Sequence, residues 1–283
     1  MNNHVTIFEM GPRDGLQNES RVIASADKIK LVDMLTAAGF SKIEAASFVS
    51  PKWVPQMADG AEVLAGITRR EGVRYTALTP NLKGYERAKA AKADEVAIFG
   101  SASEGFSQSN LNRSRAEALE MFRPIAEAAS NDNMPMRGYV SCVIECPFDG
   151  VVTPDAVADA VEAMLAMGCY EVSLGDTIGR GEPETVAAML DAVLTVAQPD
   201  KLAGHYHDTN GRALESVSVS LDKGLRVFDA SIAGLGGCPY APGAPGNVAT
   251  EAVVALCTER GFDTGLDADL LAKAAVFGKS LRS

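Results

Sequence analysis

Residues 136–176 read MRGYVSCVIECPFDGVVTPDAVADAVEAMLAMGCYEVSLGD. The stretch opens on a β-rich run at 136–143 and closes on another at 170–176. Between them Val157, Val161, Met164 and Leu165 recur at helical spacing over 155–167, Pro154 suits a first helical turn, and Gly168 falls where a C-cap is expected. Strand, helix and strand in that order make a βα unit, because consecutive parallel strands need a crossover of this kind. The alternation continues in both directions. Runs at 5–10, 42–48, 74–80 and 95–100 precede the stretch, runs at 202–208 and 227–234 follow it, and Gly39 and Gly224 sit at two more predicted helix ends. Eight strands starting about every 32 residues predict a TIM (β/α)8 barrel.

A doubly wound open sheet would usually place a Gly-rich fingerprint in its first βα turn, and the first turn here, GPRDGLQ at 11–17, has no GxGxxG. The segment 101–112, SASEGFSQSNLN, reads as a long polar loop. After the eighth strand come a helix at about 247–259 and an additional C-terminal helix at about 267–279, so residues from about 260 to 283 read as an elaboration of one domain rather than a second domain.

Composition narrows the partners. The 283 residues are 47% hydrophobic, enough for a large core, and 26 Lys and Arg against 37 Asp and Glu leave a net charge of −11. Such a surface repels phosphodiester backbones and anionic lipids, which excludes nucleic acid and membrane surfaces as expected partners. No run approaches the roughly 20 apolar residues of a spanning helix. The start, MNNHVTIFEM, carries no recognisable targeting pattern, so a cytoplasmic location is expected. The five cysteines form no CxxC pair and read as reduced thiols: Cys142, Cys169 and Cys257 as small core residues, Cys146 as the start of a loop before Pro147.

Barrel chemistry is built on loops that follow the strand C-termini, and polar residues gather there. The first strand runs into Arg13, Asp14 and Gln17, the second carries Glu44, the sixth ends in Asp176, and the seventh ends in His205-Tyr206-His207. Residues i and i+2 of a strand share a face, so both imidazoles can point into one barrel mouth and share a metal. Only three histidines occur in the chain, and Asp14 and Asp176 end strands converging on the same mouth. Nitrogen and oxygen donors without thiolate favour Mg2+ or Mn2+, and Zn2+ is also compatible. Arg13 is either an ion pair closing the mouth or the positive field for an enolate or carboxylate. Glu44, costly in an apolar strand unless paired, is Arg13's counter-ion or a participant itself. Gln17 is a turn residue or a substrate contact. Asn247 either caps the next helix or offers its carbonyl oxygen to the metal. Cys238, in GLGGCPYAPGAPGN, is a small residue in a crowded turn or a thiol that gives and takes a proton.

Six segments together resemble a known family. GPRDGLQNE (11–19), IEAASFVSPKWVPQMAD (43–59), SASEGFS (101–107), SLGDTIG (173–179), HYHDTNGRAL (205–214) and AGLGGCPYAPGAPGNVATE (233–251) are similar to the DRE-TIM metallolyases, within them the 3-hydroxy-3-methylglutaryl-CoA lyases. The resemblance implies a single pyruvate-carboxyltransferase-like catalytic domain over 1–283, an acyl-CoA substrate, a homodimer, and one divalent cation on Asp14, His205, His207 and Asn247. It likewise implies functional roles for Arg13, Glu44, Asp176 and Cys238. Ser20 stands where the family often has Lys, which leaves a basic contact to the CoA phosphates there unassigned. Eukaryotic members usually carry an organellar leader, and the resemblance here is to the bacterial, cytoplasmic type.

The implied reaction is a retro-Claisen cleavage of 3-hydroxy-3-methylglutaryl-CoA to acetyl-CoA and acetoacetate, the chemistry of leucine degradation and ketone-body formation. Rival readings are a lyase for a bulkier 3-hydroxy-3-alkylglutaryl-CoA, an acyl-CoA/2-keto acid condensing synthase of the same superfamily, and a non-catalytic binding protein. The synthases usually need a long C-terminal extension, and only about 40 residues follow the last loop. The intact Asp14, His205, His207 and Cys238 argue against the binding protein.

Overall fold

The structure, a computed structural model, describes residues 3–237 and 246–282. Eight parallel strands close on themselves: β1 (Thr6–Glu9), β2 (Lys42–Ser47), β3 (Arg74–Leu78), β4 (Glu95–Ser101), β5 (Met136–Ser141), β8 (Val172–Asp176), β9 (Leu202–Tyr206) and β10 (Val227–Ala230). Closure is made by β1, which pairs with β2 on one side and β10 on the other. The short strands β6 (Glu145–Cys146) and β7 (Gly150–Val151) form a small antiparallel hairpin outside the barrel. Helices α1 (Ser25–Ala38), α2 (Gly60–Gly66), α3 (Leu82–Ala90), α4 (Glu104–Leu111), α5 (Arg115–Asp132), α6 (Pro154–Ala166), α7 (Pro183–Val193), α8 (Ala213–Asp222) and α9 (Thr250–Glu259) fill the connections, and α10 (Ala268–Leu281) ends the chain. This is the TIM barrel that the spacing predicts, and it rules out the open sheet.

Each of the eight runs becomes a strand; six are trimmed at the C-terminal end, whereas 95–100 extends to Ser101 and 170–176 starts only at Val172. The strand from 202–208 ends at Tyr206, with His207 in an isolated bridge to Asn247, and that from 227–234 ends at Ala230, with Ser231 bridged to Ala249 before a single 3-10 turn, Ile232–Gly234. Gly39, Gly168 and Gly224 all take positive φ at their helix ends. The segment 101–112 is not a loop. Ser103 Oγ accepts from the Phe106 amide at 3.1 Å, Phe106 is buried, and Asn112 closes the helix in the left-handed region at φ 53°, so capping and one anchored ring make α4 from a polar sequence. The last helix packs on α1, with Lys30 Nζ 4.2 Å from the centre of the Phe277 ring, and Arg282 beyond it donates to the Ala233 carbonyl at 3.1 Å. The C-terminal element therefore braces the loop that follows β10.

Barrel interiors are commonly filled by layers of branched aliphatic side chains. Here Glu9, Glu44, Glu95, Arg137 and Asp229, all on strands, are buried as well. Glu9 shows why such a residue is useful. Its Oε1 accepts from the Gly11 and Ile232 amides, each at 2.8 Å, and its Oε2 accepts from Thr250 Oγ1 at 2.6 Å. One carboxyl thus ties the end of β1, the turn after β10 and the start of α9.

Burial pushes the Glu9 pKa up to about 8, against the pull of these hydrogen bonds. The native state keeps a proton that the unfolded chain releases at an ordinary 4.5, so this stability contribution is complete at low pH and is lost as pH rises toward 8. Glu9→Gln keeps the shape and lacks the ionisation. Urea unfolding across that window should show Glu9→Gln gaining on the parent by roughly 1.4 kcal/mol per pH unit. A difference that stays flat with pH would mean that Glu9 ionises normally.

Candidate active site

The candidate site begins with an unusual turn. Beyond β1, Gly11–Gly15 wind as one π-helical turn, with the Gly15 amide donating to the Met10 carbonyl at 3.1 Å. Both glycines are required by close approach: a Cβ on Gly11 would lie 2.6 Å from Glu9 Oε1, and one on Gly15 would lie 2.7 Å from Ser231 Oγ. Arg13 and Asp14, neighbours in sequence, touch each other at the barrel mouth, Arg13 Nη1 donating to Asp14 Oδ1 at 2.7 Å. Arg13 Nε donates to Glu44 Oε2, so the counter-ion expected from sequence is present. Burial opposes the charge on Arg13, but Glu44 and Asp14 outweigh it and hold the guanidinium firmly protonated.

Around Asp14 the candidate ligands converge. Gln17 Nε2 donates to Asp14 Oδ1 at 3.1 Å, and Asn247 Nδ2 donates to Oδ2 at 2.7 Å. The rings of His205 and His207 are 5.4 Å apart, as a shared face requires. Asp14, His205 and His207 each offer one ligand atom, and the three atoms lie within 4.8 Å of one another. The set fits a divalent cation on two further counts. His207 Nδ1 is buried with no hydrogen-bond partner among the described residues. Burial, then the neighbouring His205, lower the His207 pKa to about 4, so its imidazole is neutral near pH 7 and has a lone pair to give. Burial acts to raise the pKa of Asp14, yet Arg13, both histidines and Asn247 together hold it below the ordinary value.

Asn247 does not cap α9, whose N-cap position is Ala249. It faces Asp14 through its amide nitrogen, and a half-turn of the carboxamide exchanges nitrogen and oxygen at that place.

A family profile described as HMGL-like matches residues 4–277. The chain belongs to the HMGL-like family. Among its HMGL-like relatives, the 3-hydroxy-3-isohexenylglutaryl-CoA/hydroxy-methylglutaryl-CoA lyase of Pseudomonas aeruginosa is 54% identical, over 98% of this chain and 94% of that protein. The mitochondrial hydroxymethylglutaryl-CoA lyase of Macaca fascicularis is 53% identical, over 96% and 84%. The crystal structure of the HMG-CoA lyase from Brucella melitensis is 63% identical and superposes with a TM-score of 0.97 over 99% of each chain.

Asp176 is not among the three clustered donors. Its Oδ1 accepts from the Arg180 amide at 3.1 Å and its Oδ2 from the Gly181 amide at 2.7 Å, so it shapes the turn after β8. Cys238 lies outside the described residues. Cys142, Cys146, Cys169 and Cys257 are buried, and burial pushes Cys169 and Cys257 up to about 12 and about 11, as suits inert core thiols.

Two residues of the site escaped sequence reading. Tyr139 on β5 donates from its hydroxyl to Glu44 Oε1 at 2.9 Å and so helps to hold the carboxylate that holds Arg13. Asp229 on β10 lies 3.2 Å from His205 Nδ1. A signal was available for the first, since Arg137, Tyr139 and Ser141 alternate through an otherwise apolar strand and alternate residues share a face.

His207→Ala should leave a folded barrel whose affinity for Mn2+ or Mg2+ falls by more than the roughly 10- to 100-fold that loss of a hydrogen-bond partner to a metal ligand costs. Titration calorimetry would settle it, and unchanged affinity would remove His207 from the donor set.

Proposed function

We propose that this chain is a divalent-cation-dependent carbon-carbon lyase that cleaves 3-hydroxy-3-methylglutaryl-CoA to acetyl-CoA and acetoacetate, working as one catalytic domain. The observation that carries this reading is the contact of Arg13 with Asp14 beside His205 and His207. It supports the reading of a fixed positive charge beside the side chains proposed to hold the cation. Family membership and the names of the relatives support the substrate.

Breaking the C2–C3 bond requires that the C3 hydroxyl lose its proton and that the C2 electron pair have somewhere to go. Mg2+ or Mn2+ on Asp14, His205 and His207, with Asn247 beside them, would supply Lewis-acid polarisation of the hydroxyl and orientation of the substrate carboxylate. The hydroxyl proton passes to a base of the site, C3 becomes the ketone carbon of acetoacetate, and the bonding pair moves into the thioester as an enolate. Arg13 suits that charge. Its Nε and Nη1 are committed to Glu44 and Asp14, and Nη2 makes no hydrogen bond among the described residues, so it can donate to the thioester oxygen. Tyr139 and Glu44 keep the guanidinium aimed while this happens. Cys238 is assigned the return of a proton to C2, a role suited to a thiol whose pKa lies nearer neutrality than that of a serine hydroxyl.

A bulkier 3-alkyl group is the second reading, favoured by the Pseudomonas aeruginosa relative whose name includes 3-hydroxy-3-isohexenylglutaryl-CoA. Acetoacetate release from 3-hydroxy-3-methylglutaryl-CoA, with and without Mg2+ or Mn2+, tests the first reading. Turnover of the isohexenyl substrate in parallel tests the second. No acetoacetate with either metal would overturn the first.

Arg13→Gln should lower kcat by about 10²-fold or more with a smaller change in KM, because its partner charge develops only in the transition state. A change confined to KM would assign Arg13 to substrate binding. Cys238→Ser should keep folding and Mn2+ affinity while turnover collapses. A near-normal kcat in that variant would move proton delivery elsewhere.

A further inference from the structure

We infer that Asp229 is a positioning residue for His205: by accepting from Nδ1–H it fixes the imidazole in one tautomer and ring plane, leaving Nε2 bare as the donor atom offered to the Asp14–His207 cluster. The inference rests on the reading of those three side chains as a cation site.

The geometry starts with the carboxylate. Asp229 is buried on β10 and takes four contacts. Arg137 Nη2 donates to Oδ1 at 2.8 Å, Arg137 Nη1 donates to Oδ2 at 3.1 Å, Ser173 Oγ donates to Oδ2 at 2.7 Å, and His205 Nδ1 lies 3.2 Å from Oδ2. A carboxylate gripped by both arms of a guanidinium is ionised, and an ionised carboxylate only accepts. The proton of the fourth contact therefore sits on His205 Nδ1. A neutral imidazole carries one N–H, so Nε2 keeps its lone pair.

Arg137 shows what this arrangement demands. A lone carboxyl buried inside a barrel would take up a proton and could then donate to Nδ1, favouring the opposite tautomer. Arg137 prevents this, and it is itself wholly buried, over the Phe8 ring at 4.2 Å and the Tyr139 ring at 5.1 Å. Its Nε donates to Glu171 Oε1 at 2.8 Å, and Glu171 in turn lies 3.6 Å from Lys42 Nζ. A line of alternating charge thus runs from His205 through Asp229, Arg137 and Glu171 to Lys42, each member satisfied by the next. The two histidines consequently differ. His205 is oriented by protein, whereas His207 Nδ1 has no partner among the described residues and waits for its ligand.

The test reads the tautomer directly. The chain has three histidines, so ring 15N resonances of the full-length, metal-free protein can be assigned with His4→Gln and His207→Gln, at a pH where the imidazoles are neutral. The parent should show His205 Nδ1 as the protonated, pyrrole-type nitrogen and Nε2 as the bare, pyridine-type one. Asp229→Asn, whose amide can present either donor or acceptor, should mix the tautomers and weaken Mn2+ binding by roughly 10- to 100-fold. A His205 protonated at Nε2 in the parent overturns the inference, and so does a folded Asp229→Asn variant with parental spectrum and Mn2+ affinity. Should that variant fail to fold because Arg137 has lost a partner, the parent spectrum decides alone. If the parent binds no Mn2+, the cation-site reading fails separately, and the same spectrum still decides whether Asp229 sets the tautomer.

Discussion

No charge can stand alone inside a closed parallel barrel, and the interior of this one is organised around meeting that requirement. Arg13 is the centre of it. Its guanidinium is held by Glu44 on one side and Asp14 on another, and Tyr139 braces Glu44 from β5. Take away either acid and a buried cation loses a partner, which costs several kcal/mol in typical cases. The same rule governs Arg137, which sits between Glu171 and Asp229. Two arginines and their carboxylates, carried by strands and by the turns that flank them, lock side chains that hydrophobic packing would leave freer to turn. The barrel spends some of its apolar core on this, and gains a mouth whose polar groups are set before any ligand arrives.

Much of this was legible in the sequence, for identifiable reasons. The strands could be read because each is short, β-rich and followed by helical spacing, and the histidine pair because a period of two puts i and i+2 on one face. The pairing of Arg13 with Glu44 followed from the cost of an isolated carboxylate in an apolar strand. The helix Glu104–Leu111 was not legible, since its polar residues carry no strong apolar period and it forms through the Ser103 cap and the burial of Phe106. That Asp176 accepts from the amides of Arg180 and Gly181 was not legible, because a strand-end carboxylate looks the same in sequence whether it faces the mouth or folds back on its own turn. Asp229 and Tyr139 were missed because a contact between β10 and β9, or β5 and β2, is a matter of neighbours across a closed ring, and one sequence does not show which side chains meet there.

Loop and barrel are joined by few, well-placed ties. Glu9 holds the end of β1 to the turn after β10, and Arg282, past the last helix, reaches the same turn at the Ala233 carbonyl. The segment that leads to Cys238 is therefore anchored from both ends of the chain. Asn247, on the far side of that segment, is fixed by Asp14. The candidate site draws its shape from contacts between residues more than two hundred positions apart.

The π-type turn at Gly11–Gly15 has one further consequence, and it concerns spacing rather than residue identity. A strand would send consecutive side chains to opposite faces, and a regular α-turn would splay them by about 100° around an axis. The wider turn allows Arg13 and Asp14 to serve the same cavity while adjacent in the chain. It does so by lodging one more residue in the ring than an α-turn holds. The segment should thus accept conservative replacements at its outward positions more readily than any change in length. Removing a single residue would tighten the ring and rotate one of the two charged groups out of the mouth, even with every functional side chain still present in the sequence.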